Sequence, residues 1–207
     1  MGKKQHWARI LSVILHPLIL PGLGMFIIFY VDSYIAFSVP EKAQNLIILI
    51  VFVNTGLAPL LTIYFLSRSQ IISNVSLHIR KERFIPNLVS VLFYLFTLYL
   101  FIQAKLPSLI IHFMAAAALL TFAGFFITIF WKISIHMLSI GGMIGFLVSF
   151  SIVLQKEIPL IIITAIILAG ALGSARVVLK AHTPAQVYAG FSTGFAIMFS
   201  VIMLLSN

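Results

Sequence analysis

Residues 174–194 read S-A-R-V-V-L-K-A-H-T-P-A-Q-V-Y-A-G-F-S-T-G. Runs of about 20 apolar residues flank this stretch, each long enough to cross a hydrocarbon core of roughly 30 Å. The stretch is therefore the turn between two membrane spans, and the fold follows from it. Arg176, Lys180 and His182 stand in that turn. So apolar a chain tolerates such a cluster at a membrane surface, in a water-filled pocket or on an anion. The expectation is an anion.

Composition extends this reading to the whole chain. Of 207 residues 62% are hydrophobic and 8% charged, against roughly 25% charged in a soluble domain. The fold class expected is all-α, a polytopic transmembrane helical bundle forming one domain over residues 1–207. The N-terminal M-G-K-K-Q-H-W-A-R is basic, but no small-residue cleavage site follows the apolar run, so it reads as a retained first helix. There is no cysteine, which removes disulfides and thiolate chemistry. The net charge of +9 comes from 13 Lys and Arg against four acids, Asp32, Glu41, Glu82 and Glu157. Basic residues gathered at span ends argue against nucleic acid and for the lipid bilayer and phosphorylated lipids.

Spans are expected near residues 10–30, 45–66, 87–104, 108–130, 133–153, 159–179 and 185–205. Pro17, Pro21, Gly22 and Gly24 interrupt the first. They read as a kinked or tilted helix, and if His16-Pro17 begins a re-entrant segment instead, the count falls from seven to six. Residues 67–86 are the longest polar connection, with room for a short amphipathic surface helix. Alternation of spans gathers Lys3, Lys4, Arg9, Arg68, Arg80, Lys81, Arg83, Lys132, Arg176 and Lys180 on one side, and leaves Lys42, Lys105 and Lys156 on the other. The positive-inside tendency explains part of this bias. It does not explain why His6, His16, His78, His136 and His182 fall on the same cationic side. Gly141-Gly142 and Gly145 read as close helix packing, His16 and His78 as interfacial histidines, and Tyr188 as a packing residue.

Three polar segments border that side: Arg80-Lys81-Glu82-Arg83-x-x-Pro86, Lys132-Ile133-Ser134-Ile135-His136 and Arg176-x5-His182-x3-Gln186. Together they offer guanidinium forks, ammonium groups, a hydroxyl and two imidazoles. Arg matches phosphate bidentately and Lys acts as a point charge. Helix N-termini at 133–136 and 184–187 add backbone N–H groups and a positive dipole end. Two histidines suit phosphoryl transfer through a covalent intermediate, one attacking phosphorus and the other protonating the leaving group. Chemistry of that kind needs no metal and no cofactor, and the scarcity of acids on this side disfavours a two-metal site.

The 174–194 stretch resembles the third motif of the type 2 phosphatidic acid phosphatase superfamily, Ser-Arg-x5-His-x3-Asp, in a superfamily that also holds vanadium-dependent haloperoxidases. Ser134 and His136 resemble the second motif, Pro-Ser-Gly-His, and Arg80-Lys81-Glu82-Arg83-x-x-Pro86 loosely resembles the first, Lys-x6-Arg-Pro. The likeness covers roughly residues 80–195. It implies that His182 is the nucleophile, His136 the general acid, and Gln186 the residue that orients His182. It further implies that Arg176, Ser134 and a cation from Arg80, Lys81 or Arg83 hold the phosphate, and Lys132 joins them by position. The chain departs from the family in three places. Gln186 stands where the family has Asp, the second motif lacks Pro and Gly, and one residue separates Ser174 from Arg176. Glu82, the one acid on this side, either replaces the missing carboxylate or pairs with Arg80 or Lys81.

Two functions are therefore expected. One is a membrane phosphatase acting on a lipid phosphate monoester or prenyl diphosphate through phosphohistidine. The other is a non-catalytic, phospholipid-binding or lipid-moving relative that retains the anion pocket. The expected location is a bacterial cytoplasmic membrane. A transporter is disfavoured because no acid or base lies mid-span.

Overall fold

A computed structural model describes residues 3–31, 33–73 and 81–206. The described residues form helices joined by short turns, with no strand among them, and six helical segments are long and apolar enough to cross a membrane. The first apolar run is not one of these. It forms two 12-residue helices, α1 (Lys3–Ile14) and α2 (Leu20–Val31). Pro17 explains the break: it has no N–H for a helical bond and pushes His16 away from helical angles.

The chain divides into two compact units, Pro21–Trp131 and a second built from both ends, Met1–Leu20 with Lys132–Asn207. The first holds α2, the short α3 (Ser33–Ser38), a 28-residue span, and the spans α6 (Phe84–Gln103) and α7 (Ser108–Phe130). The long span is α4 (Glu41–Phe52) and α5 (Ala58–Arg68) joined by a π turn at Val53–Leu57. A π turn releases backbone groups and turns side chains. Here Asn54 donates to the Thr97 hydroxyl of α6 at 3.1 Å. Gly24 lets α2 lie against the Phe113 ring of α7, where any Cβ would meet Cζ at 2.5 Å. The surface helix considered within 67–86 falls largely on 74–80, outside the described residues.

The other unit packs α1 against the span α9 (Pro159–Val178), and the span α8 (Ile135–Val153) against α9 and α10 (Pro184–Ser206). α8 is the most buried span of all. Parallel to it runs α10, backbone against backbone. A Cβ at Gly190 would meet the Ser134 carbonyl oxygen at 2.7 Å, one at Gly145 the Phe195 carbonyl oxygen at 2.5 Å, and one at Gly194 would fall on the Leu138 carbonyl oxygen. Each helix thus carries a Gly-x-x-x-Gly ridge, 141–145 and 190–194, and the two ridges interlock. Because the helices are parallel, their N-termini open at the same end of the unit.

α9 ends in a left-handed turn that leads the chain to α10. Ala181 N–H donates to the Arg176 carbonyl at 3.1 Å and Lys180 N–H to that of Val177 at 2.9 Å, the paired bonds of a Schellman ending. Lys180 holds φ at 51° there, and Gln70, Lys105 and Gln155 have φ of 57°, 50° and 51° at equivalent ends. A side chain in this region is strained by about 1 kcal/mol, a cost glycine does not carry. Lys180→Gly should therefore raise the melting temperature of the detergent-solubilised protein by a few degrees, with the loss of the unfolded chain's stiffness offsetting part of the gain. An unchanged or lower melting temperature would mean that the exposed Lys180 side chain stabilises the turn by other contacts.

Candidate functional site

The N-terminal ends of α8 and α10, the C-terminal turn of α9 and the end of α1 meet in one cluster. It contains Ser134, His136, Arg176, His182 and Gln186, so the second and third segments singled out in the sequence come together. The first segment is not part of this unit. Its residues belong to the other unit; Arg80 lies outside the described residues, and of Lys81 only the backbone, opening a 3-10 turn with Glu82 and Arg83, is described. Arg83 is half-buried ahead of α6, and desolvation lowers its pKa from the ordinary guanidinium value. Glu82 accepts from Ser73 N–H at 3.0 Å and from Ser73 Oγ at 2.9 Å, a contact within its own unit that neither sequence reading foresaw. His78 is outside the described residues.

The turn into α10 is the best-defined part. Thr183 caps the helix, Pro184 opens it, and Gln186 is the third helical residue. Thr183 Oγ1 accepts the Gln186 N–H at 3.4 Å and Gln186 Oε1 accepts the Thr183 N–H at 3.2 Å. These reciprocal bonds form a capping box. The Thr183 amide can only donate, so the Gln186 atom facing it is the carbonyl oxygen. That same oxygen lies 3.1 Å from His182 Nδ1. Nδ1 therefore carries the proton and Nε2 keeps the lone pair. His182 is buried, 8% exposed.

On α8 the Ser134 hydroxyl is fully buried and has no hydrogen-bond partner among the described residues. It stands at the cap position but makes no cap bond, while its amide donates to the main-chain carbonyl of Gln186 at 3.4 Å. A buried hydroxyl left without a partner costs about 1–3 kcal/mol. His136, the second helical residue, donates its Nε2–H to the Ser12 carbonyl at 3.1 Å, because a carbonyl can only accept. Nδ1 is then the nitrogen open to other partners. Lys132 is half-buried two residues before Ser134.

Arg176 reaches from the last turn of α9 and donates from Nη1 to Ser12 Oγ at 3.2 Å. Ser174 is exposed and bonds back to the Gly170 carbonyl at 2.9 Å. The serine of the resembled motif is therefore outside the cluster. Tyr188, expected to pack, is 73% exposed.

Two residues of the cluster escaped the sequence reading. No sequence motif points to Ser12, and the sequence places His16 at the interface. His16 is half-buried with its ring edge-on to His136, centroids 5.3 Å apart. Burial holds it below the ordinary imidazole range, and the Arg176 charge lowers it further. A signal existed: Ala8, Ser12 and Leu15, at i, i+4 and i+7, form the buried stripe of α1 and the turn that follows it, and Ser12 is its one polar member.

Searches of protein-family models, of curated proteins and of solved structures returned no match to this chain.

Proposed function

We propose that this cluster binds the phosphate of a lipid phosphate monoester or prenyl diphosphate, and that the protein is a membrane phosphatase working through phosphohistidine at His182. The observation that carries this reading is the 3.1 Å contact between His182 Nδ1 and Gln186 Oε1, which presents Nε2 as the nucleophile. The Nε2 lone pair attacks phosphorus. The Nε2–P bond forms, the bond from phosphorus to the leaving oxygen breaks, and that oxygen takes the proton that the bound phosphate monoanion brings to His136 Nδ1. Water then attacks phosphorus and passes a proton through His136 Nδ1 to the phosphate, the Nε2–P bond breaks, and inorganic phosphate leaves. Arg176, the Ser134 hydroxyl and the N-termini of α8 and α10 stabilise the phosphoryl oxygens. The substrate tail lies along the apolar outer faces of the spans, such as Leu160, Ile163 and Ile167 of α9, all exposed.

The test is phosphate release by purified protein from a panel of lipid phosphates and prenyl diphosphates in mixed micelles. The expected activity is inhibited by vanadate and survives chelators. No release from any member of the panel would sink the catalytic reading, and phosphate binding without release would point to the lipid-binding alternative.

A further inference from the structure

We infer that the Ser12–His16 turn of α1 is a further part of this site: Ser12 positions Arg176 and His136, and His16 holds the plane of the His136 ring. This rests on the reading of the cluster as a phosphate site. Three independent contacts carry it. The Ser12 hydroxyl gives its proton to the Ala8 carbonyl at 2.8 Å, which turns its lone pairs to Arg176 Nη1 at 3.2 Å. The Ser12 carbonyl accepts from His136 Nε2 at 3.1 Å. The His16 ring meets that of His136 at 82°.

The helix break makes the arrangement possible. α1 ends at Ile14, so the Ser12 carbonyl is one of the four at a helix C-terminus that lack an intrahelical donor. In an unbroken helix it would bond the amide of residue 16. His16-Pro17 ends the helix there, and the carbonyl serves His136 instead. The negative dipole end of α1 also faces the Arg176 guanidinium. His16 is fixed in turn, since its Nδ1 accepts the Leu18 amide at 3.4 Å and its Nε2 bears the proton.

These are positioning residues. Arg176 is a long side chain, and ordering it in advance removes part of the entropic cost of gripping an anion. The Ser12 carbonyl fixes the tautomer of His136, which leaves Nδ1 as the atom that exchanges a proton. Ser12 is 6% exposed, so it acts through Arg176 and His136 and not as an open binding group.

The experiment is equilibrium dialysis of the full chain in detergent against labelled inorganic phosphate. Ser12→Ala, which has no oxygen for Nη1, should bind about tenfold more weakly, and Ser12→Thr, which keeps the hydroxyl, should stay within about twofold of wild type. A second measurement needs neither phosphate nor turnover: nitrogen-15 spectra of labelled histidines. The wild type should show His136 as the Nε2–H tautomer, His16→Phe should retain it, and His16→Leu should give a tautomer mixture. Wild-type affinity in Ser12→Ala, or His136 as the Nδ1–H tautomer in the wild type, overturns the inference and leaves the phosphate site standing. Absence of phosphate binding by the wild type overturns both.

Discussion

His182→Ala is expected to lower phosphate release by on the order of 10⁴-fold or more, the scale seen when a nucleophile is removed from a covalent mechanism. Fold stability should change far less. His182 lies in the turn before α10, and the reciprocal Thr183–Gln186 bonds that start the helix remain without it. Rapid quenching in alkaline detergent with labelled substrate should trap an acid-labile, base-stable phosphoprotein in the wild type and none in the variant. Gln186→Glu tests the same chemistry from the other direction. Glutamate matches glutamine in length, accepts the same Thr183 amide and the same His182 Nδ1–H, and adds the negative charge that a phosphorylated imidazole lacks here. In a comparable triad the exchange of carboxylate for amide costs about 10⁴, so Gln186→Glu should raise turnover at least about tenfold. A fall in turnover with an intact fold would show that His182 does not become cationic during the reaction, and would remove the covalent route.

The turn at 174–194 was legible because its chemistry is local. Arg176, His182 and Gln186 lie within a dozen residues, and a polar cluster between apolar runs stands out against the rest of the chain. Even there one layer went unread. Thr183-Pro184-Ala185-Gln186 is a capping-box pattern with proline at the first helical position, so Gln186 starts the helix as well as orienting the histidine. The spans were legible from length and hydropathy, and the helix break was visible as His16-Pro17. Its consequence was not visible. His136 and Ser12 are 124 residues apart, Arg176 and Ser12 164 apart, and one of the acceptors is a backbone carbonyl, which no residue type announces. The π turn at Val53–Leu57 was hidden for a related reason: an apolar run specifies that a helix spans the membrane, not how its turns are wound. Gly141 and Gly145 were readable as packing residues, whereas their partner ridge on α10 follows only from the register in which the helices meet.

That register is where the second large effect lies. Gly194→Ala should lower stability by about 3 kcal/mol, at the upper end of overpacking penalties. The added methyl falls on the Leu138 carbonyl oxygen and beside the Gly142 amide, and these are backbone atoms of the most buried helix. No side-chain rotation relieves the clash, so α10 must move off α8. The motion carries His182 and Gln186 away from Ser134 and His136, because each pair stands at the start of its helix. A misplacement of about 1 Å costs roughly 10²-fold in a positioned reaction, so phosphate release should fall more than the loss of folded protein accounts for. Gly170→Ala is the matched control: a Cβ there meets nothing within 4 Å, and alanine is the better helix former by about 1 kcal/mol. That variant should melt at or above the wild-type temperature with unchanged release. Equal behaviour of the two variants would mean that the interlocked glycine ridges do not set the distance between the histidines, and the parallel packing of α8 and α10 would lose its place as the frame of the site.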